Sequence, residues 1–434
     1  MTATVPDSTT ARAVRRTVLG GTVGSFVEFY EFSAYAVLAG TLAAVFFPEA
    51  DPTTGLLSSL AVFAVAFFAR PLGGFVWGGL GDRIGRRRTL ALTVLLMSVA
   101  TMLMGALPGY SAIGVAAPIL LIALRFLQGV SAGGEISGAV SFVAEHSPLH
   151  RRGLYVGLIS VGSVVGTLLG SLFPGILLLV LSTEQMQSWG WRLPLLLALP
   201  MGIIGLYIRR RLDETPHFLA LREQRARETN PVGAALTGRA NARLLVRSFL
   251  LIAVNAASFY MIVGYLPTFA TKRLQLTGYE AFAPSIIALA ACLLAEVLGA
   301  WWSDRIGRRP VLLVSGVGLL LLSWPSFLLM TSGSFGLISL GLVVFGFLAG
   351  GYAAVTNSTL TEMFPTKVRV SGHGITYNLS VALFGGSAPY LLTWLGGATG
   401  SSMVGAFYVM VLAVVSLPAV LATAETARRP LRTT

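Results

Sequence analysis

The chain has 434 residues, of which 55% are apolar and only 11% are charged, and its mean hydropathy is +0.77. A typical soluble domain carries about 25% charged residues, so soluble enzymes, disordered chains and ordinary nucleic-acid-binding proteins are excluded. The single cysteine, Cys292, excludes a disulfide scaffold and a thiolate metal site. We therefore expect an integral membrane protein.

Twelve apolar runs are long enough to cross the bilayer, since about 20 helical residues span about 30 Å of hydrocarbon. They predict an all-α polytopic protein with twelve transmembrane helices. The N-terminus lacks the ordered segments of a cleavable signal peptide, so none is expected. In chain order the predicted spans are 18–47, 56–80, 89–108, 112–142, 153–181, 190–208, 248–271, 281–302, 310–331, 335–362, 370–395 and 402–423.

The net charge is +13, and the positions of the basic residues follow the predicted membrane topology. If the N-terminus is cytoplasmic, most of the 31 Lys and Arg residues fall in cytoplasmic segments, and the outer loops keep only Arg192, Lys272 and Arg273. By the positive-inside rule, this bias predicts a multi-pass protein of the cell membrane (the inner or plasma membrane) with both termini in the cytoplasm. It also explains the basic charge without a nucleic-acid partner.

A long polar segment divides the chain into two halves of six spans. The prediction is an N-terminal six-helix bundle over 1–208, a cytoplasmic central loop over 209–247 and a C-terminal six-helix bundle over 248–434. The sequence Asp-Arg-Ile-Gly-Arg-Arg recurs at 82–87 and 304–309, in the same loop of each half. Such a duplication is typical of secondary transporters, which bind solute between the halves near the membrane midplane.

Residues 70–74 (Arg-Pro-Leu-Gly-Gly) and 81–87 match the loop signature of the major facilitator superfamily, and 303–310 is its second copy. From about residue 20 to about 425, the chain resembles the metabolite:proton symporter family of that superfamily, which holds proline/betaine, shikimate, citrate and α-ketoglutarate transporters. The resemblance implies two pseudo-symmetric six-helix bundles, alternating access and a monomer. The further matching segments are 27–32, 125–129, 133–135, 191–194, 211–216, 266–268, 362–366, 377–378 and 385–389.

Ionisable groups inside a span cost at least about 2.5–3.5 kcal/mol on insertion scales, and the candidates here are Glu28, Glu31, Arg125, Glu135 and Glu296. Glu28 and Glu31 lie three residues apart, on nearly one helix face. In a medium of low dielectric constant, the ionisation of both carboxylates at this separation costs free energy, because the two negative charges repel each other. This pattern is typical of a proton-coupled carrier. The family pattern usually has Asp where this chain has Glu31, which keeps the charge but alters inherited substrate contacts.

The resemblance implies that Arg125 pairs with Glu31, as the matching residues do in sugar porters of the superfamily. Protonation of Glu31 would then free Arg125 or a substrate carboxylate; the alternative is a static ion pair between spans 1 and 4. Glu135, ten residues past Arg125, is predicted nearer the cytoplasmic end, as a second proton site or a gating partner. For Glu296, eight residues before Asp304, a salt bridge at a helix end is predicted.

Charged residues at the cytoplasmic helix ends are expected to hold the spans together in one of the two alternating states, although the arginines also fit a purely topological role. This predicted gate comprises Asp82, Arg83, Arg86, Glu145, Arg152, Asp304, Arg305, Arg308, Glu362 and Arg369. Polar residues within the spans are predicted to line the substrate cavity or to hydrogen-bond between helices. With Arg125 they are Tyr30, Gln128, Asn255, Tyr260, Tyr377 and Asn378.

The resulting prediction is proton symport that takes up a small organic metabolite, such as a carboxylate or zwitterion, with the solute, protons and the bilayer as partners. The alternative is proton-antiport export of a drug or metabolite on the same fold. Residues 157–166 of span 5 lack the Pro followed by Gly-Gly that is typical of exporters. Motifs of hydrolases and metalloproteases and a large extramembrane domain are missing, so we expect no enzyme, cofactor or metal.

The substrate stays open at this point. A buried Arg125 suits a monocarboxylate or a zwitterion, whereas an Arg125 occupied by Glu31 suits a neutral or cationic solute. Aromatic side chains of spans 1 and 7 are able to form a cation–π surface for a quaternary ammonium group, or simply to pack or face lipid. These aromatic residues are Phe29, Tyr30, Phe32, Tyr35, Phe259 and Tyr260.

Overall fold

The computed structural model describes residues 11–84, 86–210, 239–276, 283–366 and 368–432. Within these ranges, the side chains at 11–15, 78–79, 81–83, 86 and 239–240 are not part of the description. Three predicted gate residues, Asp82, Arg83 and Arg86, therefore lie outside the described side chains.

The prediction of twelve membrane-spanning helices is confirmed, because twelve described helical spans are long and apolar enough to cross a bilayer. We number them 1 to 12 in chain order. Span 1 is Ala11–Phe46; span 2, Pro52–Ile84; span 3, Arg86–Ala106; span 4, Ala116–Ala132 and Glu135–His146; span 5, Arg152–Val180; span 6, Thr183–Gln185, Met186–Gly190, Arg192–Leu196 and Ala198–Arg210; span 7, Arg239–Tyr260, Met261–Tyr265 and Leu266–Lys272; span 8, Ala283–Ile306; span 9, Arg308–Met330; span 10, Phe335–Met363; span 11, Arg369–Ser380, Val381–Gly386 and Ala388–Thr399; and span 12, Val404–Leu421. Short helical turns at Tyr110–Ile113 and Leu149–Arg151 connect spans 3 to 4 and 4 to 5.

Two differences from the predicted bounds affect the position of charged residues. Span 6 continues to Arg210 and span 7 begins at Arg239, so the interval between the two helices is shorter than the predicted loop at 209–247. Span 4 is interrupted at Gly133 and Gly134, and its second helix begins with Glu135. The apolar pattern alone could not reveal this break, because it continues across the two glycines.

Three spans contain a wide π-helical turn, and each of these turns has a proline four residues beyond one of its carbonyls. The turns are Met186–Gly190, Met261–Tyr265 and Val381–Gly386, followed by Pro194, Pro267 and Pro389. A proline in a helix removes one N–H and its ring pushes against the carbonyl four residues earlier. The local sequence thus accounts for the widening, and π turns are frequent at functional sites.

The two halves pack their spans in matching ways. In the N-terminal half, a Cβ atom added at Gly129 or Gly133 of span 4 would meet the carbonyl oxygens of Ala66 and Arg70 in span 2. In the C-terminal half, Gly346 and Gly350 of span 10 approach the carbonyls of Ala288 and Cys292 in span 8 in the same way. Small residues let membrane helices approach closely. In the N-terminal half this approach fixes the position of Arg70.

Span 1 begins and span 12 finishes on the same side of the helix bundle. We call this side the terminal end and the opposite side the distal end. Spans 2 and 11, and spans 5 and 8, meet across the boundary between the halves. The buried charged side chains lie along this boundary and within the N-terminal half.

Candidate functional site

An arginine in the middle of span 2 forms the central ion pair. Arg70 Nη2 lies 2.5 Å from Glu28 Oε1, and both side chains are buried. Arg70 Nε also donates to Asn378 Oδ1 of span 11 at 3.1 Å, which connects this pair to the C-terminal half. Arg70 Nη1 and Glu28 Oε2 have no hydrogen-bond partner within the described part of the chain. The pair therefore keeps unused donor and acceptor capacity.

Arg70 was missing from the predicted site, and the prediction that Arg125 is the basic residue deep in a span was incomplete. A signal was present in the sequence. Arg70 falls well inside the predicted span 56–80, where an arginine is costly unless it faces a partner. Its place in the Arg-Pro-Leu-Gly-Gly motif associates it with the loop that follows instead.

Glu31 lies in a separate polar cluster formed with spans 3 and 4. Its Oε1 accepts a hydrogen bond from Ser98 Oγ at 2.7 Å, and its Oε2 accepts from Thr101 Oγ1 and from Gln128 Nε2. All three donors are neutral. The carboxylate is thus solvated by hydroxyl and amide groups within a buried part of the bundle.

The direct pair between Glu31 and Arg125 that the resemblance implied is not formed. Arg125 Nη1 donates to Gln128 Oε1 at 2.5 Å, so Gln128 lies between the two charges. The guanidinium carbon of Arg125 lies 3.5 Å from the ring centroid of Tyr35, in a cation–π contact. The correction has a geometric reason: the amide of Gln128, one turn from Arg125 on the same helix, bridges a gap that the two side chains leave open.

Glu135 forms a second buried ion pair, nearer the terminal end. Both of its oxygens accept from Arg209 at the end of span 6, and Oε2 also accepts from Thr93 of span 3. Arg209 donates further to the carbonyls of Gly20 and Leu90. As the first residue of a helix, Glu135 is also favourably placed at the positive end of the helix dipole. Arg209 had been assigned to the central loop, so this partner was not predicted.

The central cavity lies between the halves and contains Glu296. This cavity has a volume of about 30 Å³, enough for about two water molecules. Its walls include Asn255, Tyr260 and Tyr377 from the predicted set, together with Phe29. Asn378 follows Tyr377 and binds Arg70 and the carbonyl of Gly133 instead. Tyr30 donates to the carbonyl of Pro194 and Gln128 bridges Glu31 and Arg125, so neither residue is among those that line this cavity.

The salt bridge predicted for Glu296 at a helix end was wrong. Glu296 lies in the middle of span 8, roughly 15 Å from the helix end at 1.5 Å per residue. Its side chain is buried, faces the cavity and makes no ion pair with a described residue. The helix continues to Ile306, which places Asp304 at the end and leaves Glu296 inside.

Aromatic rings close the boundary between the halves beside the cavity. Phe29 stacks on Tyr260 with 6.3 Å between ring centroids and meets Phe259 edge-on at 5.5 Å. Phe67 meets Tyr260 at 4.8 Å. Two of the predicted aromatic residues therefore reach across from span 7 to span 1, and one of them, Tyr260, directly precedes a π turn.

Most of the described gate residues join the two halves at the terminal end. Asp304 of span 8 accepts the backbone N–H groups of Gly153 and Leu154, both at 2.9 Å, so it caps the start of span 5. Glu362 of span 10 pairs with Arg152 of span 5 and with Arg308 of span 9. Glu145 of span 4 pairs with Arg369 of span 11, at the other side of the boundary.

Arg305 differs from the other described gate residues. Its guanidinium carbon stacks on Trp301, 3.7 Å from the ring centroid, on the same helix. Its side chain is exposed.

The segment after span 12 crosses this gate, which the sequence did not suggest. Thr426 Oγ1 donates to Glu362 at 2.6 Å, and the carbonyls of Arg429 and Arg432 accept from Arg152 and Arg369. Glu425 accepts backbone N–H groups of Arg308 and Arg309, at the start of span 9. The segment 422–432, called the tail below, therefore contacts both halves.

The distal end contains two clefts. One cleft of about 210 Å³ lies between the start of span 2 and the ends of spans 7 and 11, lined by Thr53, Tyr265 and Gly396 among others. Another, of about 400 Å³, lies between spans 1 and 2 and reaches Lys272. Within the described residues, ion pairs therefore join the halves at the terminal end, whereas the distal end contains two clefts. Within the described residues, no group of three or more His, Cys, Asp or Glu side chains is arranged for a metal ion.

Comparison with known proteins identifies relatives over nearly the whole chain. A family model described as Major Facilitator Superfamily matches residues 21–389. The proline/betaine transporters of Salmonella typhimurium and of Escherichia coli K12 are each 37% identical over 426 residues, which cover 96% of this chain and 85% of the relative. The ectoine/proline transporter of Corynebacterium glutamicum is 35% identical over 436 residues, covering 97% and 86%.

The fold also matches solved structures. A structure of the proton:xylose symporter XylE with a bound bromodeoxyglucose aligns with a TM-score of 0.78 at 17% identity, covering 97% of this chain and 98% of that one. An inward-open structure of XylE from Escherichia coli aligns with a TM-score of 0.66 at 18% identity, covering 96% and 98%. At this identity the likeness establishes the arrangement of helices, with two pseudo-symmetric halves.

Proposed function

The chain belongs to the Major Facilitator Superfamily, and on this premise we propose that it takes up a small zwitterionic or carboxylate solute together with protons, by alternating access. Relatives named as proline/betaine and ectoine/proline transporters support a carrier for such solutes rather than an enzyme. Export by proton antiport is not favoured, because these relatives are not exporters by name and the exporter-type proline motif is missing from span 5.

The observation that carries this proposal is the Arg70–Glu28 pair at the boundary of the halves. A substrate carboxylate that binds Arg70 competes with Glu28 for the same guanidinium. The displaced Glu28, buried and without its cation, then takes up a proton, because an unpaired buried charge is costly. Solute and proton therefore bind together and leave together, which is the requirement for symport.

The other buried charges have supporting roles in this proposal. Glu31 is a second proton-binding carboxylate, which accepts hydrogen bonds from neutral donors. Arg125 lies beyond Gln128 and provides a fixed positive charge that favours the ionised form of Glu31. Glu135 and Arg209 form an ion pair that, with Thr93, joins spans 3, 4 and 6 near the terminal end and takes part in gating. Asn378 of span 11 accepts a hydrogen bond from Arg70, so that a movement of Arg70 affects the C-terminal half.

Alternating access is proposed to move residues 1–208 against residues 248–434 as two six-helix units. The terminal end, which carries the gate, is placed in the cytoplasm of the cell, in the inner or plasma membrane, because the basic residues concentrate there. The conformation described is then closed to the cytoplasm. Because one chain supplies both halves of the cavity, a monomer is proposed as the transporting unit.

The function is tested by reconstituting the whole chain in liposomes with an inward proton gradient and a pH dye inside. Proline, glycine betaine, shikimate, citrate and α-ketoglutarate are added outside, one at a time. We expect proline or glycine betaine to acidify the lumen and no acidification without solute. The reading as an uptake carrier fails if no solute moves protons inward while preloaded solute leaves in exchange for them.

The tail is expected to hold the gate closed. Although burial raises it, the backbone N–H groups of Ala427, Arg308, Arg309 and Thr426 hold the pKa of Glu425 below its ordinary value of 4.5. A lowered pKa means that these contacts are present at neutral pH and are lost only as the pH falls below that value. Removing residues 423–434 should therefore shift the equilibrium towards the state open at the terminal end, by about 5- to 150-fold.

The shift is measured by double electron–electron resonance between spin labels attached at Arg151→Cys and Ile306→Cys in a Cys292→Ala background. Both positions are exposed, and they lie on opposite halves at the terminal end. The population of long distances should rise in the truncated chain, and Glu425→Gln should reproduce part of the rise. An unchanged distance distribution would show that the tail only rests on the gate.

A further inference from the structure

The central cavity contains a carboxylate for which the described residues provide no cation. Glu296 is 1% exposed, and its Oε2 has no hydrogen-bond partner among the residues that the structure describes. Buried charges in proteins are normally paired and hydrogen-bonded. Glu28 and Glu135 follow that rule with one arginine each, and Glu362 follows it with two. Glu296 is an exception, and its position on the cavity wall points to a ligand as the missing partner.

Three polar neighbours of Glu296 in the cavity each have an unsatisfied oxygen as well. Asn255 Oδ1, Asn357 Oδ1 and Tyr260 Oη each lack a hydrogen-bond partner within the described residues, and all three residues line the same cavity. Buried polar side-chain atoms have a partner in the large majority of cases. Three unsatisfied acceptor oxygens and one hydroxyl in a single small cavity indicate a site that is completed by something from outside.

The walls of the cavity favour an organic cation over a metal ion. Phe29, Phe259 and Tyr260 present aromatic rings to it, and ring faces attract ammonium groups, above all where water is excluded. A sodium ion would instead require a shell of oxygen ligands on all sides. The combination of one carboxylate, amide oxygens and aromatic rings matches a positively charged, partly apolar group such as a methylated or ring ammonium.

A positive counterpart to Glu296 lies near Tyr377. The hydroxyl of Tyr377 is within electrostatic reach of Arg70 and Glu28 and also of Glu296. Arg70 keeps Nη1 free, whereas Glu296 keeps Oε2 free. The cavity region therefore offers one unused donor of positive charge and one unused acceptor of negative charge, on spans 2 and 8 of opposite halves.

We propose that Glu296 binds the ammonium group of a zwitterionic substrate whose carboxylate is bound by Arg70. This inference rests on the proposed function and names the residue that recognises the positive end of the solute. A zwitterion would connect the N-terminal half, through Arg70, to the C-terminal half, through Glu296. Solutes with a carboxylate and no cationic group leave Glu296 unpaired and are discriminated against. The cavity of about 30 Å³ must widen to admit the whole solute, by separation of Phe29 from Tyr260.

The test compares two ligands of the same shape that differ only in charge. Glycine betaine carries a trimethylammonium group, and 3,3-dimethylbutanoate has a neutral carbon in place of the nitrogen. Their binding to the purified full chain is measured by calorimetry in potassium buffer without sodium. For wild type we expect betaine to bind at least about 30-fold more tightly; in Glu296→Gln that preference collapses through weaker betaine binding, with dimethylbutanoate changed by less than about threefold.

The matched control is Glu184→Gln, the same substitution at an exposed carboxylate outside the cavity, which should leave the preference intact. A second measurement uses only the wild-type protein, so its result does not depend on how a variant folds. Tetramethylammonium, which has the cation and no carboxylate, should compete with betaine for wild-type protein.

Several outcomes would overturn the inference and leave the proposed function standing. Equal loss of both ligands in Glu296→Gln means a structural role, and an unchanged ratio means that the cation binds elsewhere. Retained betaine affinity with a lost pH dependence makes Glu296 a proton site, and sodium-dependent binding that the variant abolishes makes it an ion site. If wild type binds neither ligand and no solute acidifies the liposomes, the proposed function itself fails.

Discussion

Replacing Arg70 with Gln is expected to abolish solute uptake, by at least about 100-fold, because the substrate carboxylate loses its only charged partner in the proposed site. The same change leaves Glu28 buried without a cation, and such a loss typically costs about 3–5 kcal/mol of stability. A lower melting temperature should accompany the loss of transport. Uptake of labelled proline or betaine into liposomes and thermal unfolding in detergent measure the two effects separately.

The double variant Arg70→Gln with Glu28→Gln separates binding from folding. It removes both members of the ion pair, and a buried pair replaced by neutral groups of similar size is often tolerated without a loss of stability. The melting temperature should recover while uptake stays absent. Recovery of uptake in the double variant would show that Arg70 only neutralises Glu28, and the assignment of Arg70 to the substrate would be wrong.

Replacing Glu28 with Gln is expected to uncouple the carrier. Gln imitates the protonated carboxyl group and leaves Arg70 permanently available, so the solute should still bind, with an affinity that no longer depends on pH. Exchange of internal for external solute should continue, because it requires no net proton movement. Accumulation driven by the proton gradient should disappear. Counterflow and gradient-driven uptake in the same liposomes provide the comparison.

Glu31→Gln serves as the matched variant, one turn away on the same helix. Its carboxylate accepts hydrogen bonds from Ser98, Thr101 and Gln128 and does not compete for Arg70. Gradient-driven uptake should fall in this variant too, but solute binding should keep its pH dependence. The reverse result, a pH dependence lost only in Glu31→Gln, would place the substrate-linked proton on Glu31.

Several features of the site were predictable from the sequence because they depend on neighbouring residues. The scarcity of charge within the apolar runs singled out Glu28, Glu31 and Glu135, which the structure places in buried polar clusters. The repeated Asp-Arg-Ile-Gly-Arg-Arg pointed to Asp304 and Arg308, which lie in the cluster of charged residues at the terminal end. These inferences rest on composition and on position within a span.

The partners of these charges were not predictable in the same way. Glu28 and Arg70 are separated by 42 residues in the chain, and Glu135 and Arg209 by 74. Which carboxylate meets which arginine depends on the rotation of each helix about its axis and on its neighbours. For that reason Gln128 rather than Arg125 contacts Glu31, and Glu296 faces the cavity rather than a helix end.

By itself the sequence determined the twelve spans, the doubled architecture, and the prolines that account for the three π turns, because hydrophobic length, internal repetition and the missing proline N–H act locally. The tertiary structure alone decided the pairing of Arg70 with Glu28, the crossing of the gate by the tail and the unpaired state of Glu296. Those outcomes follow from close helix approach at glycines such as Gly133, which brings distant charges together where no water competes for them.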